Sequence, residues 1–307
     1  MKTESRLEKV LKGGHFAVTA ECGPSKGADV EALKKKAEFL RGRVDAVNVT
    51  DNQTAIVRMS SVAASAILKG IGLEPVLQMV TRDRNRIALQ SDLFGAYALG
   101  INNVLCLTGD HQSFGNQKQA AGVFDLDSIQ LIRTVRDMRD KGTIIGGEEI
   151  QVPPRMFIGA AANPFADPVN WRVVRLAKKI EAGADFIQTQ CIYNMERFKN
   201  FMQQAYDMGL TEQAFVLAGI TPLKNAGMAR YMATKVAGIE VPEKLIDRIA
   251  SLPKEKQADE GIKIAVETIE QVRQIKGVAG IHLMAIEWEH KVPEILDAAG
   301  LSQRPEV

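Results

Sequence analysis

Histidine and cysteine are scarce in this chain. The four histidines, His15, His111, His282 and His290, form no HxH, HExxH or facial-triad spacing, so metal catalysis finds no ligand set. The three cysteines, Cys22, Cys106 and Cys191, are too few and too scattered for a disulfide framework or a zinc cluster. No excess of one charge is present. Lys plus Arg is 39 and Asp plus Glu is 37, a net charge of +2, which gives no support to a nucleic-acid binder. No apolar run reaches the ~18 residues needed to cross a bilayer. Met1 to Lys12 is charged and helix-like, unlike a signal peptide. A GxSxG elbow and a low-complexity linker are also missing. What remains, in 307 residues with 46% hydrophobic and 25% charged, is the composition of a globular, cytoplasmic enzyme.

What is present is a repeat. Short apolar, β-rich runs begin near Phe16 (FAVTAE), Asp45 (DAVNVT), Pro75 (PVLQMV), Asn102 (NVLCLT), Met156 (MFIGAA), Asp185 (DFIQTQ), Ala214 (AFVLAGI) and Val278 (VAGIHLMA). Five of the seven gaps fit one βα unit of ~30 residues. The other two hold extra material. The first has a polar, Gly-rich loop from Gly109 to Gly122 and a helix near Asp125 to Lys141. The second has a helix after Asn225, one opening at Pro242, and a third around Glu255 to Lys276. Asp167-Pro168 reads as an N-cap with proline at the first helical position of WRVVRLAKKIEAG. That helix buries Val173, Leu176, Ala177 and Ile180 and stops at Gly183; Gly100 and Gly209 are stops of the same kind.

Eight strands alternating with helices imply a parallel sheet. An open doubly wound sheet would carry a glycine fingerprint after its first strand, but that position reads Glu-Cys-Gly-Pro-Ser-Lys-Gly. The expectation is one (β/α)8 TIM barrel over residues 1–307, with extra helices before the last strand.

Barrel sites lie at the carboxyl ends of strands. Those ends carry Glu21, Thr50 with Asp51-Asn52, Gln78, Thr108-Gly109-Asp110, Ala161 with Asn163, Gln190, Thr221-Pro222 and Met284. Glu21 ends an apolar strand, where desolvation would raise its pKa and suit it to general-acid work. The other reading is a rim carboxylate paired with a lysine. Asp110 follows a glycine that allows close backbone approach to a ligand, or it serves a turn or helix cap. Gln78 and Gln190 suit a heterocycle edge, or are amides satisfied by backbone. Lys179 is on a helix and reaches the site only if that helix leans in. Cys22 and Cys191 read as small buried residues, and Arg82-Asp83-Arg84-Asn85-Arg86 as a solvated loop and helix start. Bottom-up, this is a mouth of acids and amides with no metal and no evident nucleophile.

The chain resembles the methylenetetrahydrofolate reductase family from about Phe16 to Leu301. The matching pieces are VTAE ending at Glu21, VNVT ending at Thr50, LTGD of Leu107 to Asp110, AAANP of Ala160 to Pro164, KKIEAGADFIQTQ of Lys178 to Gln190, and GITP of Gly219 to Pro222. Each is short; their order and spacing carry the resemblance. It implies a barrel with a non-covalent flavin that reduces 5,10-methylenetetrahydrofolate to 5-methyltetrahydrofolate by hydride transfer from flavin N5. It implies Glu21 as the general acid, Asp110 near flavin and pterin, and Gln190 on the pterin. Thr50, Gln78, Thr108, Gly109, Asp110, Ala161, Asn163 and Lys179 would surround the flavin. It also implies a folate substrate and a homo-oligomer.

The chain departs from many bacterial members in having Gln78 for a histidine, Thr108 for an arginine, Asn163 for a tyrosine and Arg172 for an aspartate near the FAD nucleoside half. Ile286-Glu287-Trp288 stands where Leu-Asn-Arg is common. The flavin is thus FAD, the family default, or FMN. The electron donor is a nicotinamide nucleotide or an iron–sulfur or zinc-containing partner subunit. Two further readings fit the same residues: a flavin-free pterin-binding barrel methyltransferase, and a non-catalytic scaffold subunit of a redox complex.

Overall fold

The computed structural model describes all of residues 1–307. Its eight strands are β1 (Ala17–Glu21), β2 (Ala46–Val49), β3 (Pro75–Val80), β4 (Asn103–Leu107), β5 (Phe157–Ala162), β6 (Phe186–Cys191), β7 (Phe215–Ile220) and β8 (Val278–Leu283). Each pairs in parallel with its sequence neighbours, and β1 pairs with β8, so the sheet closes into a barrel. All eight fall on the apolar runs read from sequence. Those runs are nearly continuous because helices cover the outside and side chains fill the inside.

Eleven helices accompany the strands: α1 (Arg6–Lys12), α2 (Val30–Glu38), α3 (Ser61–Gly70), α4 (Arg86–Ala98), α5 (Ser128–Asp140), α6 (Arg172–Ala182), α7 (Met195–Asp207), α8 (Ala226–Lys235), α9 (Glu243–Ala250), α10 (Lys254–Arg273) and α11 (Val292–Ala298). The extra helices before β8 are α8, α9 and α10. Their start signals lie in the sequence: Asn225 caps α8 through its side chain, and Pro242 immediately precedes α9. Asp127 and Gln130 form a capping box on α5. The Asp167-Pro168 expectation is corrected. Pro168 follows a cis bond and precedes a single 3-10 turn, Val169–Trp171, and α6 starts only at Arg172. On the expected face of α6 Val173, Leu176 and Ile180 are buried and Ala177 is half-buried, and Gly183 ends the helix at φ +124°.

The barrel is closed below by α1. Leu7, Val10 and Leu11 pack against Ala17, Ala46, Val76, Leu105, Phe157, Phe186 and Leu217, the lower interior residues of seven strands. Phe157 and Phe186 stack with centroids 5.1 Å apart, and Gly159 leaves the space that the Phe186 ring fills. No helix is long and apolar enough to cross a membrane.

Phe186 is fully buried in this plug, remote from the mouth. Phe186→Ala is expected to lower unfolding free energy by about 3–5 kcal/mol in urea titrations. A cost under ~1 kcal/mol would contradict the packing described.

Candidate functional site

Above the apolar plug the barrel interior turns polar. Thr19, Asn48, Gln188 and His282 are all buried. Asn48 and Gln188, on β2 and β6, exchange hydrogen bonds across the barrel: Asn48 Nδ2 donates to Gln188 Oε1 at 2.6 Å, and Gln188 Nε2 to Asn48 Oδ1 at 3.0 Å. Gln188 Nε2 also donates to Thr19 Oγ1 at 3.2 Å, and Thr19 Oγ1 lies 3.0 Å from His282 Nδ1. Burial drives the His282 pKa down to about 3, so the imidazole is neutral. Buried polar groups are tolerable here because each has a partner.

This layer is the floor of a cavity of about 480 Å³ at the carboxyl ends of the strands. Glu21, Gln78, Thr108, Gly109, Asp110, Ala161, Asn163, Lys179 and Gln190 all line it. Thr50 does not. It is buried at the end of β2, and its Oγ1 has no hydrogen-bond partner.

Glu21 is 6% exposed. Burial raises its pKa from 4.5 to about 7, and the charge of Glu289 pushes the same way. Gln53, and after it Arg58 and Lys36, pull against that rise. Glu21 itself forms no ion pair; Lys36 instead lies 3.5 Å from both Glu287 and Glu289. The reading as a lysine-paired rim carboxylate therefore fails, because the neighbouring carboxylates hold the lysine.

The two amides differ. The Gln78 amide makes no hydrogen bond within the chain and faces the cavity. Gln190 accepts from its neighbour's backbone, Cys191 N, at 3.1 Å, leaving its NH2 group for a ligand. Asn163 is committed: Nδ2 donates to Gly238 O, and Oδ1 accepts from Phe165 N and Ala166 N. Thr108 Oγ1 accepts from Ser128 N at 3.1 Å, at the start of α5. Gly109 has φ +89°, a turn that a side chain would strain, and it brings Asp110 to the exposed rim.

Lys179 does reach the site. The helix leans in, and Nζ donates to Ala161 O at 2.5 Å. Burial and nearby Arg175 lower its pKa to about 8. Burial pushes the thiols of Cys22 and Cys191 up to about 12 and about 11, and Cys106 higher still, so none offers a thiolate. No group of three or more His, Cys, Asp or Glu side chains is placed to hold a metal ion.

The arginine run is a correction. Arg82 is 2% exposed and donates to Asp83, Asn52 O and Asp110 O. Arg84 pairs with buried Asp51 at 2.6 Å and with Asp92 at 2.7 Å. Asp83, Asn85 and Arg86 are exposed as expected, and Asn85 caps α4 where the helix start was read. Within the run only Arg82 and Arg84 turn inward, because the adjoining loops supply carboxylates and carbonyls to meet them. The run also anchors the 109–124 loop, where Val123 N donates to Arg82 O. Reading strand ends alone missed Gln53, Thr54, Arg175, Gln188 and His282. The signal for Gln188 and His282 was a polar residue two positions before Gln190 and Met284, on the same strand face.

Comparison with known proteins bears on this geometry. The profile of the family described as methylenetetrahydrofolate reductase matches residues 6–300. The chain belongs to that family. It is 25% identical over 256 residues to a Caenorhabditis elegans protein named probable methylenetetrahydrofolate reductase (NADPH), covering 81% of this chain and 36% of that one. It is 26% identical over 321 residues to methylenetetrahydrofolate reductase (NADH) 1 of Arabidopsis thaliana, covering 98% of this chain and 51% of that one. The chain thus spans between a third and a half of these relatives. A solved Clostridium thermocellum protein, described as binding two copies of 5-methyl-5,6,7,8-tetrahydrofolic acid, superposes with a TM-score of 0.64. It covers 97% of this chain and 98% of its own at 16% identity, a likeness of fold alone.

The raised pKa of Glu21 fixes a stability signature. Folding favours its neutral form, so its contribution is complete below 4.5 and is lost as pH rises through about 7. Glu21→Gln is therefore expected to match wild type in urea near pH 4.5 and to exceed it by roughly 3 kcal/mol above pH 8. A difference that does not change with pH would contradict the buried, unpaired carboxyl.

Proposed function

We propose that this chain reduces 5,10-methylenetetrahydrofolate to 5-methyltetrahydrofolate with a bound flavin. The observation that carries the reading is a buried carboxyl, half-protonated near pH 7, at the wall of a family-matched cavity. The flavin, when bound, supplies a hydride to the one-carbon unit. The cavity suits such a group: it offers the unbonded amide of Gln78 and the NH2 group of Gln190 to heterocycle edges, and the cations of α6 form no ion pair.

Glu21 is the general acid. Its neutral carboxyl donates a proton to N10 of the substrate as the bond from N10 to the bridging carbon breaks. The N5 lone pair moves in to form an N5 iminium, the electrophile that accepts the hydride. Burial serves this step by keeping a proton on Glu21 near neutral pH, where the acid's pKa is matched to its task. Gln190 presents its NH2 group to the pterin, and Gln78 its whole amide to the flavin. Asp110, on the rim, accepts from the pterin's ring N–H groups. Thr108, Gly109, Ala161 and Asn163 shape the flavin's side of the cavity, and Lys179 adds positive charge there. Thr50, outside the cavity lining, supports the wall from behind. A folate-binding barrel of similar shape in Clostridium thermocellum supports the substrate class.

Glu21→Gln tests the acid. The variant is expected to retain its flavin and its visible spectrum while folate reduction falls by about 100-fold or more, the scale of general-acid contributions. Full-rate reduction by the variant would refute the assignment. A wild-type protein unable to take up any flavin would favour the methyltransferase reading instead.

A further inference from the structure

The turn that follows β2 is strained. Five residues other than glycine have positive φ in this chain, and three of them fall in that one turn: Asn52 at +44°, Thr54 at +56° and Ala55 at +55°. Asparagine tolerates this region, but a β-branched threonine is an outlier there. Such strain persists only where the surroundings over-determine it, and it gathers at functional sites.

The surroundings do hold this turn. Asn52 Oδ1 accepts from Arg58 N at 3.0 Å, and Asn52 O accepts from Arg82 Nη2 at 3.2 Å. Asn116 Oδ1 accepts from Val57 N at 3.1 Å. Gly115 lies so close to Ala55 that a methyl group on it would collide with Ala55 O. The 109–124 loop and buried Arg82 thus fix the turn from outside.

What the turn delivers is Gln53. Its side chain lines the cavity together with Glu21, and its amide is near enough to donate to the Glu21 carboxyl. That amide makes no other hydrogen bond within the chain. Glu289, Arg58 and Lys36 act on Glu21 through charge alone, whereas Gln53 acts through a hydrogen bond. Cys22 and Cys191, which adjoin Glu21, stay neutral thiols.

We propose that Gln53 is the positioning residue of Glu21: its NH2 group holds one carboxyl oxygen and leaves the protonated oxygen facing the cavity. The inference rests on the reading of Glu21 as the acid and adds the group that aims it. Once Glu21 has given its proton to substrate N10, the same donor meets the charge left on the carboxylate. An amide suits this place because it donates without carrying a charge. A lysine or arginine there would keep Glu21 ionised and unable to act as an acid.

Gln53→Met tests the assignment, since it keeps the side-chain length and removes the donor. A hydrogen bond to the charged form lowers a carboxyl's pKa, so its loss raises the pKa. The first readout is the urea stability gained by Glu21→Gln across pH, measured with and without Gln53→Met. That gain levels off once Glu21 is ionised, above about 7, and is expected to level off roughly one pH unit higher when Gln53→Met is present. The second is the rate at which 5,10-methylenetetrahydrofolate reoxidises the reduced flavin. Its pH midpoint is expected to rise by about one unit and its plateau to fall about tenfold, with the visible spectrum of the bound flavin unchanged. Midpoints unmoved by Gln53→Met, even with a lower plateau, would overturn the positioning role and leave Glu21 as the acid. A wild-type rate that does not titrate would overturn the acid reading, and the urea measurement would still decide whether Gln53 holds Glu21.

Discussion

A carboxyl group held in a barrel mouth without a cation in contact is the constraint around which this site is organised. Glu21 stands at the top of an interior that changes character with height. Aromatic and aliphatic side chains, sealed by α1, fill the bottom. A hydrogen-bonded layer of Thr19, Asn48, Gln188 and His282 lies above them. The cavity opens on that layer. An interior packed to the top with Leu, Ile and Val would leave no room for a ligand, and one lined by unpaired polar groups would cost stability at each. The reciprocal amide pair from β2 to β6 meets both demands: it is polar enough to floor a ligand site and satisfied enough to stay buried.

The rim is arranged so that Glu21 stays unpaired. Lys36 is drawn to Glu287 and Glu289, Arg84 is taken by Asp51 and Asp92, and Arg82 by Asp83 and backbone carbonyls. Lys36 and Arg58 still act on Glu21 through space and pull its pKa down, but desolvation outweighs them. On the far side of the cavity the pattern reverses, and α6 offers cations with no carboxylate. A buried carboxyl stands on one wall and cations without ion pairs stand on the other, with amides between. The (β/α)8 fold makes this separation simple, since each wall is a different strand end or helix.

Much of the architecture was legible because its signals are local. Eight apolar runs at near-regular spacing, Asn225 and Pro242 ahead of their helices, and Gly183 after another gave the barrel and its inserted helices. The start of α6 was misread because Asp167-Pro168 looks like a helix entry, whereas a 3-10 turn intervenes before Arg172. Glu21, Gln78, Asp110 and Gln190 were found because strand ends converge in any such barrel. The inward turn of Arg82 and Arg84 was not legible: Arg84 depends on Asp51 and Asp92, and Arg82 on the carbonyls of Asn52 and Asp110, which tertiary folding brings to them. Thr50 stood at a strand end like the others yet lies behind the cavity wall, a distinction that alternation along a four-residue strand does not make. The committed amide of Asn163 likewise depends on Gly238, far along the chain.

The central claim is that burial keeps a proton on Glu21 for use on the folate, and the most direct test is a single turnover. The flavin-loaded protein would be reduced anaerobically and mixed with 5,10-methylenetetrahydrofolate across a pH series, following return of the oxidised flavin's absorbance. The account predicts a rate that is level at low pH and falls with loss of one proton, with a midpoint near the Glu21 value of about 7. A rate that stays flat through that range, or rises across it, would contradict Glu21 as the acid.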